Sequence, residues 1–147
     1  MTVDPVPMVR RRLRVFRYYD ALSINYYGED PPVGYFNYVH LKTGKPILLS
    51  EFSFRARDTG HPNTRGAGVI LNTQAERARY VEYWIPTLLE QGYFIGYLWW
   101  EYMDEPFDGR RPDAEDGNYG LVNLSDEPYV ELINVFKGVN SLFPKVS

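Results

Sequence analysis

Three short apolar runs, separated by stretches of helical periodicity, constrain the fold of this chain more than any other feature. Ala21-Leu-Ser-Ile-Asn25-Tyr-Tyr27, Lys45-Pro-Ile-Leu-Leu-Ser-Glu51-Phe52 and Tyr93 to Tyr102 read as strands near 21–27, 46–52 and 93–102. Between them lie helical patterns. Pro7 can open a helix over about 8–18. A short amphipathic helix over 35–43 stops at Gly44. Thr73 and Glu76 make a capping box for a helix carrying Ala78, Val81, Trp84, Ile85 and Leu88, kinked at Pro86 and ending near Gly92. Pro128 starts a last helix through Leu132, Val135, Phe136 and Val139. The order α-β-α-β-α-β-α predicts an α/β fold whose strands are parallel and whose crossovers are right-handed. Two long loops, 55–72 and 104–127, are rich in Gly, Pro and Asp, and loops of that length tend to carry function.

The 147 residues suffice for one domain with a real core. A formal net charge of −3 argues against a dedicated nucleic-acid binder. The basic run Arg10-Arg11-Arg12 with Arg14 and Arg17 reads as the solvated face of the first helix, with Val9, Leu13 and Phe16 as its buried stripe. The absence of cysteine excludes disulfides, thiol nucleophiles and zinc–thiolate sites. No apolar run reaches the roughly 18 residues of a membrane-spanning helix. The N-terminus lacks the charged start and apolar core of a signal peptide. These features predict a soluble chain and leave its compartment open.

The strand 46–52 carries the main chemical signal. A buried parallel strand reads as a near-continuous apolar run, and α/β proteins place their chemistry at its C-terminal end, where Glu51 stands. The competing reading of Glu51 is a structural ion pair with Arg55 or Arg57. The third strand ends in Trp99-Trp100-Glu101-Tyr-Met-Asp104-Glu105-Pro106, an aromatic platform beside acids. Aromatic residues make up 16% of the chain, a bias that suits stacking on sugar rings and equally suits a packed core or a protein interface. His40 and His61 lie far apart in sequence among scattered acids, which makes no metal site, and His40 is expected to be exposed. The acids of 104–116 lack the spacing of a calcium loop.

Gly96-Tyr-Leu-Trp99-Trp-Glu-Tyr-Met-Asp104-Glu-Pro106, continuing into Asp116-Gly-Asn118-Tyr-Gly-Leu-Val122, resembles the last strand and following loop of retaining (β/α)8-barrel glycoside hydrolases similar to β-agarases and β-galactosidases. Ser50-Glu51-Phe-Ser-Phe-Arg55-Ala resembles their seventh strand, and Ser23-Ile-Asn25-Tyr-Tyr27 their sixth. The resemblance implies that residues 1–147 form a single partial-barrel domain, units six to eight of a TIM barrel. It implies Glu51 as catalytic nucleophile and Trp99 as the tryptophan that stacks on the sugar. Tyr27 or Tyr26 would stand beside the nucleophile, and strand alternation favours Asn25 and Tyr27 on the inward face. Arg55, Glu101 and Asp104 complete the substrate-binding candidates, with Trp99 and Glu101 sharing a side and Trp100 in the core. The resemblance implies no cofactor and no catalytic metal.

The family's acid/base glutamate follows an asparagine at the end of the fourth strand, and this chain contains no Asn-Glu pair. The implied activity is therefore the C-terminal portion of a catalytic domain acting on β-linked galactans or similar polysaccharides. The rival expectation is a non-catalytic carbohydrate-binding or assembly module. Three parallel strands leave two unpaired edges, which points to an N-terminal barrel half or a homo-oligomer as partner.

Overall fold

The computed structural model describes residues 16–144. Its elements run β1 (Leu22–Asn25), α1 (Val33–Thr43), β2 (Ile47–Phe52), β3 (Arg55–Ala56), β4 (Ile70–Leu71), α2 (Gln74–Leu89), β5 (Phe94–Trp99) and α3 (Val130–Asn140). The first expected helix and its basic run lie almost wholly outside the described residues. Phe16–Tyr18 forms one 3-10 turn.

β1, β2 and β5 make a parallel sheet in that order, with β2 central. A second, two-residue parallel pair joins β3 to β4 inside the segment expected to be loop. Two residues are too few for alternation to register in sequence. The helix ends follow their chemistry. Gly44 takes a left-handed conformation (φ 66°) and returns its N–H to the His40 carbonyl at 2.7 Å. Thr73 Oγ1 accepts the Glu76 N–H at 3.2 Å, while the Glu76 carboxylate reaches the Asn72 N–H at 2.7 Å, one residue before the cap. α2 runs on through Pro86.

One face of the sheet is covered. Leu22, Ile47, Leu49, Phe52 and Phe94 join Phe36 and Val39 of α1, Val81, Trp84, Ile85 and Leu88 of α2, and Leu132, Phe136 and Val139 of α3 in a single apolar core. The opposite face is open. Ser23 and Asn25 are exposed there, and on β5 Ile95 and Leu98 keep 52% and 57% of their surface in water. His40 is half-buried, not exposed. Its ring stacks on Tyr93 at 4.5 Å and its Nδ1 meets the Lys45 carbonyl at 2.8 Å. Among the described residues no helix is long and apolar enough to cross a membrane.

Candidate active site on the open face of the sheet

Simple alternation along β2 would group Ile47, Leu49 and Glu51 on one side, and the first two are fully buried against the helices. Glu51 escapes that fate because the strand bulges. The pairing with β1 passes from Ile24↔Leu49 to Asn25↔Glu51, and that with β5 from Leu49↔Tyr97 to Phe52↔Trp99. One extra residue at Ser50–Glu51 lets Phe52 return to the core and turns Glu51 to the open face beside Ser50. Bulges commonly re-aim a side chain in this way next to active sites.

β1 supplies the partners. Tyr27 Oη donates to Glu51 Oε1 at 2.6 Å, and Asn25 Nδ2 donates to Glu51 Oε2 at 3.0 Å. Ser50 Oγ donates to Asn25 Oδ1 at 2.8 Å, which fixes the amide so that its NH2 faces the carboxylate. Burial, then the hydrogen bond to Glu51 and its negative charge, push the Tyr27 phenol well above its ordinary value. Tyr27 therefore stays a proton donor, and each Glu51 side-chain oxygen is held by one neutral donor.

Four of the expected substrate contacts, Trp99, Tyr26, Arg55 and Asp104, stand elsewhere. Trp99 does not face the Glu51 side. Its ring packs edge-on against Phe52 and Phe136, both at 5.2 Å, and its Nε1 donates to the Tyr119 carbonyl at 2.9 Å. The cause is the irregular β5 register: Phe94 pairs with Ile47 but Gly96 with Leu48, so Phe94, Tyr97 and Trp99 all turn to the helices. The strand ends at Trp99, and alternation cannot be carried past it to Trp100 or Glu101. Tyr26 likewise lies on the helix side, its ring 6.0 Å from Trp84.

Arg55 and Asp104 serve the loops. Arg55 is buried, and its two terminal nitrogens donate to the carbonyls of Asn63, Arg65, Gly66 and Gly68 at 2.9–3.4 Å, while its guanidinium lies 5.4 Å from the Tyr119 ring centre. With its terminal nitrogens on those carbonyls, Arg55 does not make the ion pair with Glu51 that was the competing reading. Asp104 is buried and accepts Asn118 Nδ2 and the Gly120 N–H, each at 2.7 Å, together with the Tyr129 hydroxyl. Asn63, in a left-handed conformation, clasps the two long loops together: its Oδ1 accepts the Asn118 N–H at 3.0 Å and its own N–H reaches the Asp116 carbonyl at 3.3 Å. Beneath them the fully buried Arg77 of α2 donates to the carbonyls of Tyr119 and Gly120 at 3.0 and 2.9 Å. His61 is also buried, stacked on Phe107 at 4.3 Å.

Trp100 stands at a rim and not in the core as expected, and Arg110, which covers it, carried no signal in the sequence. Trp100 is half-buried under the Arg110 guanidinium, 5.2 Å from its ring centre, and the Trp100–Glu101 peptide is cis. Arg110 in turn meets Glu105 at 3.0 Å, Glu101 at 3.8 Å, Asp113 at 2.7 Å and Glu115 at 3.2 Å. Glu105 Oε1 lies close to Arg110 but off the line of its N–H, an ion pair without hydrogen-bond alignment. Burial, then the neighbouring Glu101 carboxylate, push the Glu105 carboxyl up to about 8. Among the described residues no cluster of three His, Asp or Glu side chains could hold a metal ion.

No family model matches the sequence. Beta-agarase B of Vibrio sp. (strain JT0107) is 33% identical over 124 residues, which are 84% of this chain and 13% of that protein. The solved structure of an exo-beta-agarase superposes with a TM-score of 0.80 at 31% identity, over 88% of this chain and 17% of that one. The chain is homologous to β-agarases. A beta-glucuronidase of Faecalibacterium prausnitzii superposes with a TM-score of 0.63 over 90% of this chain and 23% of that one; at 15% identity this is a likeness of fold alone. The chain thus spans a small part of each relative, and within that part its folding pattern is that of glycoside hydrolase domains.

Proposed function

We propose that this chain is the C-terminal portion, units six to eight, of a retaining glycoside hydrolase barrel acting on β-linked galactans or similar polysaccharides, with Glu51 as nucleophile. The observation that carries the reading is the bulge that turns Glu51 to the open sheet face, where Tyr27 and Asn25 of the next strand hold its two oxygens. The open face corresponds to a barrel interior. Among the described residues the outer edges of β1 and β5 are unpaired, which suits pairing with further units of the same barrel, on this or another polypeptide, or with a second copy.

In this mechanism a Glu51 oxygen attacks the anomeric carbon, the glycosidic C–O bond breaks, and a glycosyl ester forms for water to hydrolyse. Tyr27 and Asn25 fix the carboxylate plane. Trp100, rather than Trp99, offers the stacking face, and Glu101 stands near it, 3.8 Å from Arg110. A retaining enzyme needs a second carboxyl about 5–5.5 Å from the first to protonate the leaving oxygen. That acid comes from a part of the barrel outside this chain.

A 2-deoxy-2-fluoro-β-galactosyl fluoride tests the nucleophile without the acid, because fluoride leaves with its electron pair and needs no protonation. The expected result is a glycosyl adduct on the peptide containing Glu51, seen by mass spectrometry and lost in Glu51→Gln. Binding of agaro-oligosaccharides without any adduct would favour the second reading, a non-catalytic carbohydrate-binding module.

A further inference from the structure

We propose that Arg110 is a positioning residue for Trp100: its guanidinium lies over the indole face and fixes the ring at the rim of the site. The inference rests on the reading above for its sugar readout and on geometry alone for the rest. Arg110 has one ring and four carboxyl groups around it. Nη2 donates to Asp113 at 2.7 Å and to Glu115 at 3.2 Å, Nε donates to Asp113 at 3.2 Å, and Nη1 faces Glu105 and Glu101. The main chain adds to the clamp, since the Arg110 N–H donates to the Glu115 carbonyl at 2.7 Å and the Ala114 N–H to the Arg110 carbonyl at 2.6 Å.

Only a planar fork can meet acids on several sides while keeping its flat face to an indole. A cation over tryptophan is attracted by the ring quadrupole, more strongly as water is excluded. Trp100 follows the last residue of β5, and its N–H still donates to the Phe52 carbonyl of β2 at 3.0 Å, so the sheet holds its backbone. Arg110 supplies the constraint on the ring.

The test uses the indoles themselves. Trp84 is fully buried, while Trp99 and Trp100 are both half-buried, so all variants carry Trp99→Phe, which leaves Trp100 as the tryptophan open to a collisional quencher. Arg110→Ala is expected to raise acrylamide quenching of the sugar-free chain, and Arg110→Lys to raise it partly, with far-UV circular dichroism confirming that both fold. In a titration with agaro-oligosaccharides, Arg110→Ala is expected to weaken binding about tenfold, the size of a well-shielded cation–ring contact. That loss should vanish in a Trp100→Ala background, because positioning acts only through the ring. Unchanged quenching in Arg110→Ala, or an equal loss of affinity with and without the Trp100 ring, would overturn the proposal. If the wild-type chain binds no sugar, the carbohydrate reading fails, and the quenching experiment still decides the role of Arg110.

Discussion

The Tyr27 hydroxyl donates to Glu51 Oε1 at 2.6 Å across two neighbouring parallel strands, and only the bulge at Ser50–Glu51 brings the two groups to the same face. Local backbone irregularity thus creates the site. The chemistry that follows is one of orientation, since Asn25, its amide locked by Ser50, restrains the second carboxylate oxygen.

Alkaline conditions should expose the cost of holding tyrosines neutral. Burial pushes Tyr97 and Tyr119 up to about 12, and burial with the Glu51 contact pushes Tyr27 beyond them. Unfolded tyrosine ionises near pH 10. Because the folded values are raised, their contribution is complete below about pH 10 and is lost as pH rises through the folded values. Urea denaturation between about pH 9 and pH 11 should therefore show falling stability, with a shallower fall in Tyr27→Phe. Identical slopes would mean that Tyr27 is not held protonated.

Much of this architecture was legible in sequence. The three main strands and the three helices from 33 onward fall within a few residues of their expected places, because apolar runs and caps at Gly44 and Thr73 act locally. The place of Glu51 at a strand end was legible from the apolar run before it, and the shared side of Asn25 and Tyr27 from an alternation that continues two residues past β1. Alternation failed on β5 because an irregular register sends Phe94 and Tyr97, an odd number of residues apart, to the same side, and register is a property of paired strands. Arg55 and Asp104 were misread because their partners are mostly loop carbonyls and amides, which leave no trace in residue type.

Glu105 gives the chain a stability slope at milder pH. Its folded value, about 8, stands above the ordinary glutamate value of 4.5, chiefly through burial and the adjacent Glu101. A raised folded value means the contribution is complete below about pH 4.5 and disappears as pH rises through about 8. The thermal midpoint should therefore drop between those limits, and Glu105→Gln should flatten the drop. Glu115, also raised by burial, leaves a residual slope. A variant that follows the wild-type curve would assign the whole effect to other groups.

Arg77 anchors the floor of the site. It donates to Gln74, Asn118 and the carbonyls of Tyr119 and Gly120, and its guanidinium lies 5.6 Å from the Trp99 ring centre. Desolvation lowers its value to about 10, so it remains charged at neutral pH. Arg77→Ala would strand the buried carbonyls of Tyr119 and Gly120, a loss of about 1–3 kcal/mol for each acceptor left without a donor. Arg77→Lys should rescue little of it, since one ammonium cannot reach both sides of the fork. Urea midpoints of the two variants check this. A Lys variant near wild type would show that charge alone matters.

Gly68 links loop geometry to the nucleophile. Its φ of +85° is costly for any side chain, and a Cβ there would stand 3.0 Å from Tyr27 Cδ1 and 3.1 Å from the Ser53 carbonyl oxygen. The backbone cannot yield easily, because Arg55 holds the Gly68 carbonyl at 3.0 Å. Gly68→Ala should therefore destabilise the chain by about 1–2 kcal/mol for the left-handed conformation alone. It should also push the Tyr27 ring away from Glu51 and slow formation of the fluoroglycosyl adduct. Gly34→Ala is the control. It lies in α1 with open space around its Cβ, and alanine there should stabilise the chain by up to about 1 kcal/mol while leaving the adduct rate unchanged. Equal adduct rates in the Gly68 and Gly34 variants would show that the Tyr27–Glu51 contact does not depend on the close approach of the 55–72 loop.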